Sequence, residues 1–157
     1  LHQELQQTMN DLVGIIRREG EIREALGSLE KLAARAATVS VEGHRQFNPG
    51  WHLALDLRNM LTVSKCVALA ALEREESRGG HTREDFPGMN PNWRNVNLIC
   101  SLGADGRSVT IEHKPVPTIR RDLFELFDRG ELKKYFTEAE VATLDDPSVT
   151  PEQGTLS

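Results

Sequence analysis

The sequence predicts a mainly α-helical fold, with a three-helix bundle followed by a β-hairpin and a short helical tail. Three apolar patterns with helical spacing fill roughly the first half of the chain. An Asp-Gly pair between two runs that alternate apolar and polar residues predicts the hairpin. The chain has 157 residues, 38% of them hydrophobic and 27% charged, which is the size and composition of one domain.

The first two predicted helices each carry one apolar face. Residues 1–18 place on one side Leu1, Leu5, Met9, Leu12, Val13 and Ile16. The second helix, at about residues 21–40, uses Ile22, Leu26, Leu29, Leu32, Ala33 and Ala36. A connector over residues 39–50 follows and contains His44 and Phe47. It ends on Asn48-Pro49-Gly50, which predicts a helix start because Asn can cap and Pro is tolerated in the first turn.

The third helix, at about residues 50–77, is apolar on most sides and is therefore expected to be buried on most sides. Gly79-Gly80 follows after Arg78. Glycine reaches positive φ without a Cβ penalty, so we predict that this pair is the C-cap that ends the helix.

The rest of the chain predicts a loop, a hairpin and a tail. Residues 86–95 hold two prolines and a glycine, and Trp93 is expected to pack this loop onto the bundle. Strands over 96–102 and 107–113 flank the turn at 103–106. A short amphipathic helix over 122–130 would end at Gly130, and residues 131–144 can add another turn.

These elements predict a domain over residues 1–144 and a disordered tail over 145–157, where Asp, Pro, Ser and Thr dominate. Within the domain the predicted parts are a helical bundle at 1–78, a motif loop at 79–95, a hairpin at 96–114 and a tail helix at 119–144. The first residues are already in helical register at Leu1, so we expect a piece of a longer polypeptide.

Composition argues against several classes of protein. The net charge of −5 argues against nucleic acid or an anionic membrane surface as the main partner. No apolar run in the sequence approaches the roughly 18–20 residues that span a bilayer. Cys66 and Cys100 fit no metal-ligand spacing and are expected to be buried free thiols in a reducing compartment. The sequence contains no Gly-x-Gly-x-x-Gly, so it has no dinucleotide-binding turn of its own.

The segment after the third helix concentrates titratable side chains, which is unusual for a plain connector. The candidate site residues there are Glu76, Arg78, His81, Arg83 and Asp85. The arginines and the histidine could bind a dicarboxylate or a cofactor phosphate. On composition alone a metal site is conceivable from His81, Glu84, Asp85 and Glu76, although the glycines argue against the helical spacing it needs. The third interpretation is a set of buried ion pairs, within the chain or with a neighbouring domain.

Two segments resemble a known family. Glu76-Ser-Arg-Gly-Gly-His-Thr-Arg-Glu-Asp-Phe-Pro87 resembles the E-S-R-G-A-H-x-R-x-D signature in the C-terminal domain of succinate dehydrogenase and fumarate reductase flavoproteins, with Gly80 in place of the usual Ala. L-aspartate oxidase shares that signature. Val109-Thr-Ile-Glu-His-Lys-Pro-Val116 resembles the "TLEYxPV" strand and favours the dehydrogenase and reductase branch. The resemblance covers roughly residues 1–118.

The resemblance implies a parent protein that carries FAD, interconverts succinate and fumarate, and passes electrons to an iron–sulfur subunit. It implies no catalytic, cofactor-binding or metal-binding residue in this chain, because the family's substrate and flavin ligands lie mainly upstream of the matching region. Glu76, Arg78, His81, Arg83 and Asp85 are then a domain-docking and ion-pair cluster.

The expected partners are the FAD-binding domain of the same polypeptide, an iron–sulfur subunit and an assembly factor, in the cytoplasm and peripheral to the membrane through partner subunits. Two alternatives stay open, the C-terminal domain of L-aspartate oxidase and a free-standing helical interaction module.

Overall fold

The computed structural model describes residues 1–117 and 119–145, which form two compact units divided between Lys114 and Pro115. The elements of the first part of the chain are α1 (His2–Leu12), β1 (Ile16–Arg17), α2 (Glu19–Ala36), α3 (Pro49–Glu73), β2 (Thr82–Arg83), α4 (Pro91–Arg94), β3 (Val96–Leu102) and β4 (Val109–Pro115). The predicted three-helix bundle with a following hairpin is confirmed.

The apolar faces of α1, α2 and α3 meet in one core. Its buried side chains are Leu5, Val13, Ile22, Ala25, Leu29, Leu32, Leu57, Leu61, Ala68 and Ala71. Most of them lie on the faces that helical spacing predicts. Ile16 was predicted to lie on such a face, but its side chain is exposed in β1. The expectation that the third helix is buried on most sides is wrong, because several of its apolar side chains are exposed, namely Leu53, Leu55, Val63 and Val67. Complete burial of a leucine or isoleucine contributes about 1.5–3 kcal/mol to folding, so this core is the main source of the bundle's stability.

The start of α3 agrees with its sequence signal. Asn48 precedes the helix in an extended conformation, and its side-chain oxygen accepts a hydrogen bond from the Gly50 amide at 3.0 Å. Pro49 occupies the first helical position, where its missing N–H leaves no helix bond unmade.

The other ends of the helices differ from the predictions. The first helix stops at Leu12 rather than residue 18, because the chain continues as β1 and pairs in parallel with β2. The third helix stops at Glu73 rather than 77, and the residue after it, Arg74, is extended. The prediction that Gly79-Gly80 caps α3 is therefore wrong.

The hairpin consists of β3 and β4, which form a two-stranded sheet. The first strand has the predicted bounds, and the second begins two residues later than predicted, at Val109. In the turn, Gly106 has φ +65°, and the Asp105 side chain accepts hydrogen bonds from the amides of Arg107 and Ser108, both at 2.9 Å. These bonds favour the ionised form of Asp105 and lower its pKa to about 2.

Trp93 lies in α4, between Arg74, which directly follows α3, and His113 of β4. The Arg74 guanidinium lies 5.3 Å from the centre of the Trp93 ring, and the His113 ring lies at the same distance on a tilted plane. The indole thus packs the loop against the end of the third helix and the hairpin.

The second unit contains α5 (Arg121–Phe124), α6 (Arg129–Leu132) and α7 (Glu138–Asp145). The single helix predicted over 122–130 is wrong, because Gly130 lies inside α6, where its amide donates to the Asp128 carboxylate at 2.7 Å. The predicted disordered tail, apart from its first residue, lies outside the described residues. Across both described ranges, no helix has the length and apolar composition that a membrane span requires.

Candidate functional site

The signature segment folds into a compact loop directly after α3. Arg78 and His81 exchange two backbone hydrogen bonds, of 2.7 and 3.0 Å, around Gly79-Gly80. Gly79 takes φ +58°, a conformation that costs a residue with a Cβ more than it costs glycine. The glycines therefore make a tight turn that returns the chain toward the helix it has just left.

Arg83, in β2, caps the C-terminal end of α3. Its side chain is 1% exposed, and its Nη1 donates to the carbonyl oxygens of Ala71 and Leu72, both at 2.9 Å. The last carbonyls of a helix have no partner within it and carry its negative dipole end, so a buried cation stabilises this position. The guanidinium also lies 4.9 Å from the centre of the Phe86 ring. This side chain, and not a glycine, satisfies the helix end.

Asp85 joins the same arginine to the start of α2. Its two oxygens accept from Arg83 Nε and Nη2, both at 2.8 Å, in a bidentate pair. One of these oxygens also accepts from the Glu19 amide at 2.9 Å, in the first turn of α2. The Arg83 hydrogen bonds, helped by the Glu19 amide, hold the pKa of Asp85 well below its usual range. One ion pair thus connects the negative end of α3 to the positive end of α2.

Glu76 is the second buried charge of the cluster, with a side chain that is 0% exposed. Its oxygens accept from Arg78 Nε at 3.0 Å, Arg78 Nη2 at 3.1 Å, Arg74 Nη1 at 2.7 Å and the Asn90 amide at 2.9 Å. Burial alone would raise the pKa of this carboxyl. The hydrogen bonds from Arg78, Asn90 and Arg74 outweigh burial and lower the pKa, so the group is a carboxylate at neutral pH.

His81 connects the end of α1 to the end of α3. Its Nε2 lies 3.1 Å from the Arg74 carbonyl oxygen, and its Nδ1 lies 2.6 Å from Arg17 Nη1. Because a carbonyl only accepts and a guanidinium only donates, the fitting form is the neutral imidazole with its proton on Nε2. Burial lowers the pKa of His81, and the charges of Arg17, Arg83 and Arg74 lower it further against the effect of the carbonyl.

Arg17 completes this connection, because its Nε donates to the Gly14 carbonyl at 2.6 Å and also lies 3.3 Å from the Val13 carbonyl, just past α1. Burial, together with the charge of Arg83, lowers the pKa of the Arg17 guanidinium. Arg17 is not among the residues that the sequence singles out. It belongs to β1, whose partner strand is distant in the chain, so no local pattern could have identified it.

Two further residues hold the loop in shape. The Ser77 hydroxyl lies 3.1 and 3.0 Å from the carbonyl oxygens of Arg83 and Phe86, and it accepts from the Arg83 amide at 2.8 Å. Arg74 donates to the Trp93 carbonyl at 2.9 Å and the Val96 carbonyl at 2.8 Å, which connects Glu76 to α4 and β3. The signature contains Ser77, but only the fold shows that it fastens the loop.

The five predicted site residues thus lie in one cluster, which we call the motif cluster: Glu76, Arg78, His81, Arg83 and Asp85. Arg83 and Glu76 are buried, whereas the side chains of Arg78 and Asp85 are 28% and 30% exposed. With Arg17, the cluster joins the end of α1, the start of α2 and the end of α3.

The cluster's chemistry is that of internal ion pairing. Each guanidinium of the cluster already binds carboxylate oxygens of the protein, and the buried one also binds helix carbonyls. Within residues 1–117 and 119–145, no three His, Cys, Asp or Glu side chains are grouped so as to hold a metal ion. The described buried side-chain polar atoms all have a hydrogen-bond partner. The arrangement is therefore well suited to fix helix ends.

Comparison with known proteins finds a family model that matches most of the chain. The family model described as "Fumarate reductase flavoprotein C-term" matches residues 2–131. A fumarate reductase flavoprotein subunit of Helicobacter pylori is 31% identical over 85% of this chain and 19% of its own length. A succinate dehydrogenase flavoprotein subunit of Coxiella burnetii is 36% identical over 55% of this chain and 15% of its own length.

A solved structure shares the fold. A chain of the Mycobacterium smegmatis Sdh1 complex in the apo form superposes with a TM-score of 0.79 and is 56% identical. The match covers 90% of this chain and 24% of that one. The chain thus spans about a fifth of the length of the curated relatives it matches.

Proposed function

Because this chain belongs to the family of fumarate reductase flavoprotein C-terminal domains, we propose that it is the structural and docking domain of a flavoprotein oxidoreductase that interconverts succinate and fumarate. The names of the relatives support this proposal, since they are reductase and dehydrogenase flavoprotein subunits. The 56% identity to a chain of the Sdh1 complex supports an assembly with further subunits.

In this proposal the cofactor and the chemistry belong to the remainder of a longer polypeptide. FAD, when bound there, supplies the hydride chemistry, and an iron–sulfur subunit receives the electrons. The motif cluster does not fit a flavin site, because its guanidinium groups are engaged with protein oxygens. The whole protein would lie at the cytoplasmic face of the membrane through its partner subunits, and an assembly factor would contact this domain.

The motif cluster gives the domain its docking geometry. Arg83 and Asp85 hold the end of α3 against the start of α2, and Arg17 with His81 holds the end of α1. A partner that contacts these helix ends therefore meets a rigid surface whose assembly costs little further ordering entropy. The side chains of Arg78 and Asp85 are partly exposed at the edge of this surface, where a docked partner can contact them.

Direct substrate binding by the cluster is the weaker interpretation. To bind a dicarboxylate, a guanidinium group must have free hydrogen-bond donors that face solvent. The Arg83 guanidinium instead donates to Asp85 and to two helix carbonyls. Arg78 likewise directs Nε and Nη2 at Glu76. The single observation that carries this proposal is that the carboxylates and guanidinium groups of the cluster bind one another and the ends of α2 and α3, in a chain of this family.

The test uses the full-length polypeptide that contains this chain, purified with its bound flavin. Succinate is expected to reduce an artificial electron acceptor, and fumarate is expected to oxidise a reduced viologen dye. Oxidation of L-aspartate without succinate activity would instead identify an L-aspartate oxidase. If the native polypeptide consists of this chain without a flavin-binding part, the only remaining hypothesis is a free-standing helical interaction module.

A further inference from the structure

Phe47 is an aromatic side chain in an unusual position. It lies in the connector between α2 and α3, and the residue is 93% exposed to solvent. Aromatic residues make up only 5% of the chain. Burial of a phenylalanine side chain is among the larger contributions to the free energy of folding, and the exposed ring of Phe47 does not make this contribution within the domain.

The backbone at Phe47 is also strained. Its φ is +58°, and among the described residues it is the only one other than glycine with a positive φ. This region is disfavoured for a residue with a bulky side chain, and such conformations persist where the surrounding structure enforces them. Strain of this kind at an exposed aromatic gives the folded domain itself no evident benefit.

Contacts on both sides of Phe47 hold the connector in place. The Asn48 amide donates to the Glu42 carbonyl at 2.8 Å, while its oxygen caps α3 at Gly50. On the other side, the Arg45 guanidinium lies 5.7 Å from the centre of the Trp51 ring. The ring of Phe47 is thus presented from a fastened turn, and its backbone loses little freedom when a partner binds it.

We propose that Phe47 is an aromatic anchor that inserts into an apolar pocket on the remaining part of the same polypeptide. The inference rests on the proposed function. The match covers only 24% of the chain from the Sdh1 complex, so about three quarters of that chain lies outside it. A pocket on a covalently attached domain meets this anchor at a high effective concentration. Aromatic side chains, Phe among them, are enriched in the buried cores of protein interfaces.

A photo-crosslinking amino acid tests the inference in the full-length holoenzyme. The Phe47→p-benzoylphenylalanine variant is irradiated and digested, and its cross-linked peptides are identified by mass spectrometry. The His44→p-benzoylphenylalanine variant, in the same connector, is the matched control. The expected product is an intramolecular cross-link from position 47 to an apolar peptide outside residues 1–157, with at least tenfold less from position 44. A cross-link to a second copy or to another subunit, or equal yields at both positions, would overturn the inference.

A second comparison separates the anchor from the strain. Phe47→Gly relieves the positive φ but removes the ring, whereas Phe47→Leu keeps an apolar side chain. Both variants are expected to increase the rate of proteolysis in the connector of the full-length protein, Gly more than Leu. A Phe47→Gly protein that resists proteolysis as well as the wild type would contradict the anchor. Succinate oxidation by the same preparations shows separately whether the proposed function holds.

Discussion

Replacement of Arg83 by Met should strongly destabilise the bundle. Methionine retains much of the volume of the buried side chain but cannot donate to Asp85 or to the carbonyls at the end of α3. The change leaves a carboxylate without its bidentate partner and two helix carbonyls without their donor. Arg83 is 1% exposed, so its guanidinium is shielded from solvent.

The magnitude follows from the exposure of the pair. Removal of one partner of a buried ion pair costs about 3–5 kcal/mol. The Asp85 side chain is 30% exposed, which relieves part of this cost, whereas each lost carbonyl hydrogen bond adds about 1 kcal/mol. We therefore expect a loss of about 3–5 kcal/mol in the free energy of unfolding. Most domains have only about 5–15 kcal/mol in total.

Urea denaturation of the 157-residue chain, followed by circular dichroism at the helical band, measures this loss. With a slope of about 2 kcal/mol per molar urea, the midpoint should fall by roughly 2 M. Arg83→Lys keeps the charge but not the fork and should fall between the wild type and Arg83→Met. Arg18→Ala is the matched control, because its pair with Glu84 lies at the exposed surface and should leave the midpoint unchanged. Equal midpoints for Arg83→Met and Arg18→Ala would refute the capping role.

Two further changes probe the turn and the histidine. Gly79→Ala should lower the free energy of unfolding by about 1 kcal/mol, since its φ of +58° strains a residue with a Cβ. Gly80→Ala, with no atom near the added Cβ and no positive φ, should be nearly neutral, and equal midpoints in urea would contradict this turn geometry. The pKa of His81 is held below its ordinary value of 6.5, so the unfolded chain takes up a proton first and stability should fall as pH falls below about 6.5. His81→Gln should flatten that part of the profile of unfolding free energy against pH, and an unchanged slope would count against the buried neutral imidazole.

Local sequence signals predicted the helices and the hairpin because those signals act over a few residues. The helical spacing of apolar residues indicates which face of each helix is apolar. Leu5, Ile22 and Leu57 lie on these faces of α1, α2 and α3, and each of these side chains is buried. The Asn48-Pro49 helix start and the Asp-Gly turn are each formed by contacts between residues that are only a few positions apart. Their geometry needs no distant partner, so the sequence carries it.

The helix ends could not be predicted in the same way, because distant residues determine them. Helix α3 ends at Glu73, where Arg83 satisfies its last carbonyls, several residues before the glycines that suggested a cap. The first helix gives way to a two-residue strand whose partner, β2, follows the whole of α3. Side chains such as Arg17 gain their roles only when these segments meet.

The candidate residues were found from the signature, but their arrangement was not. The signature placed the five residues of the motif cluster within ten positions. It could not show that Arg83 and Glu76 are buried while Arg78 lies partly exposed at the edge. That distinction depends on the tight turn at Gly79 and on the Ser77 hydroxyl, which together set the direction in which each side chain leaves the loop.

The most direct test of the central claim compares flavin content with substrate affinity in the full-length enzyme carrying Arg78→Ala. Arg78 pairs with the buried Glu76 carboxylate and is partly exposed at the edge of the cluster. If the cluster braces and docks the domain, the variant should lose bound flavin or thermal stability, and the enzyme that keeps its flavin should have nearly the wild-type KM for succinate. Unchanged flavin content with a large rise in KM would contradict the account, because it would place Arg78 in contact with the substrate.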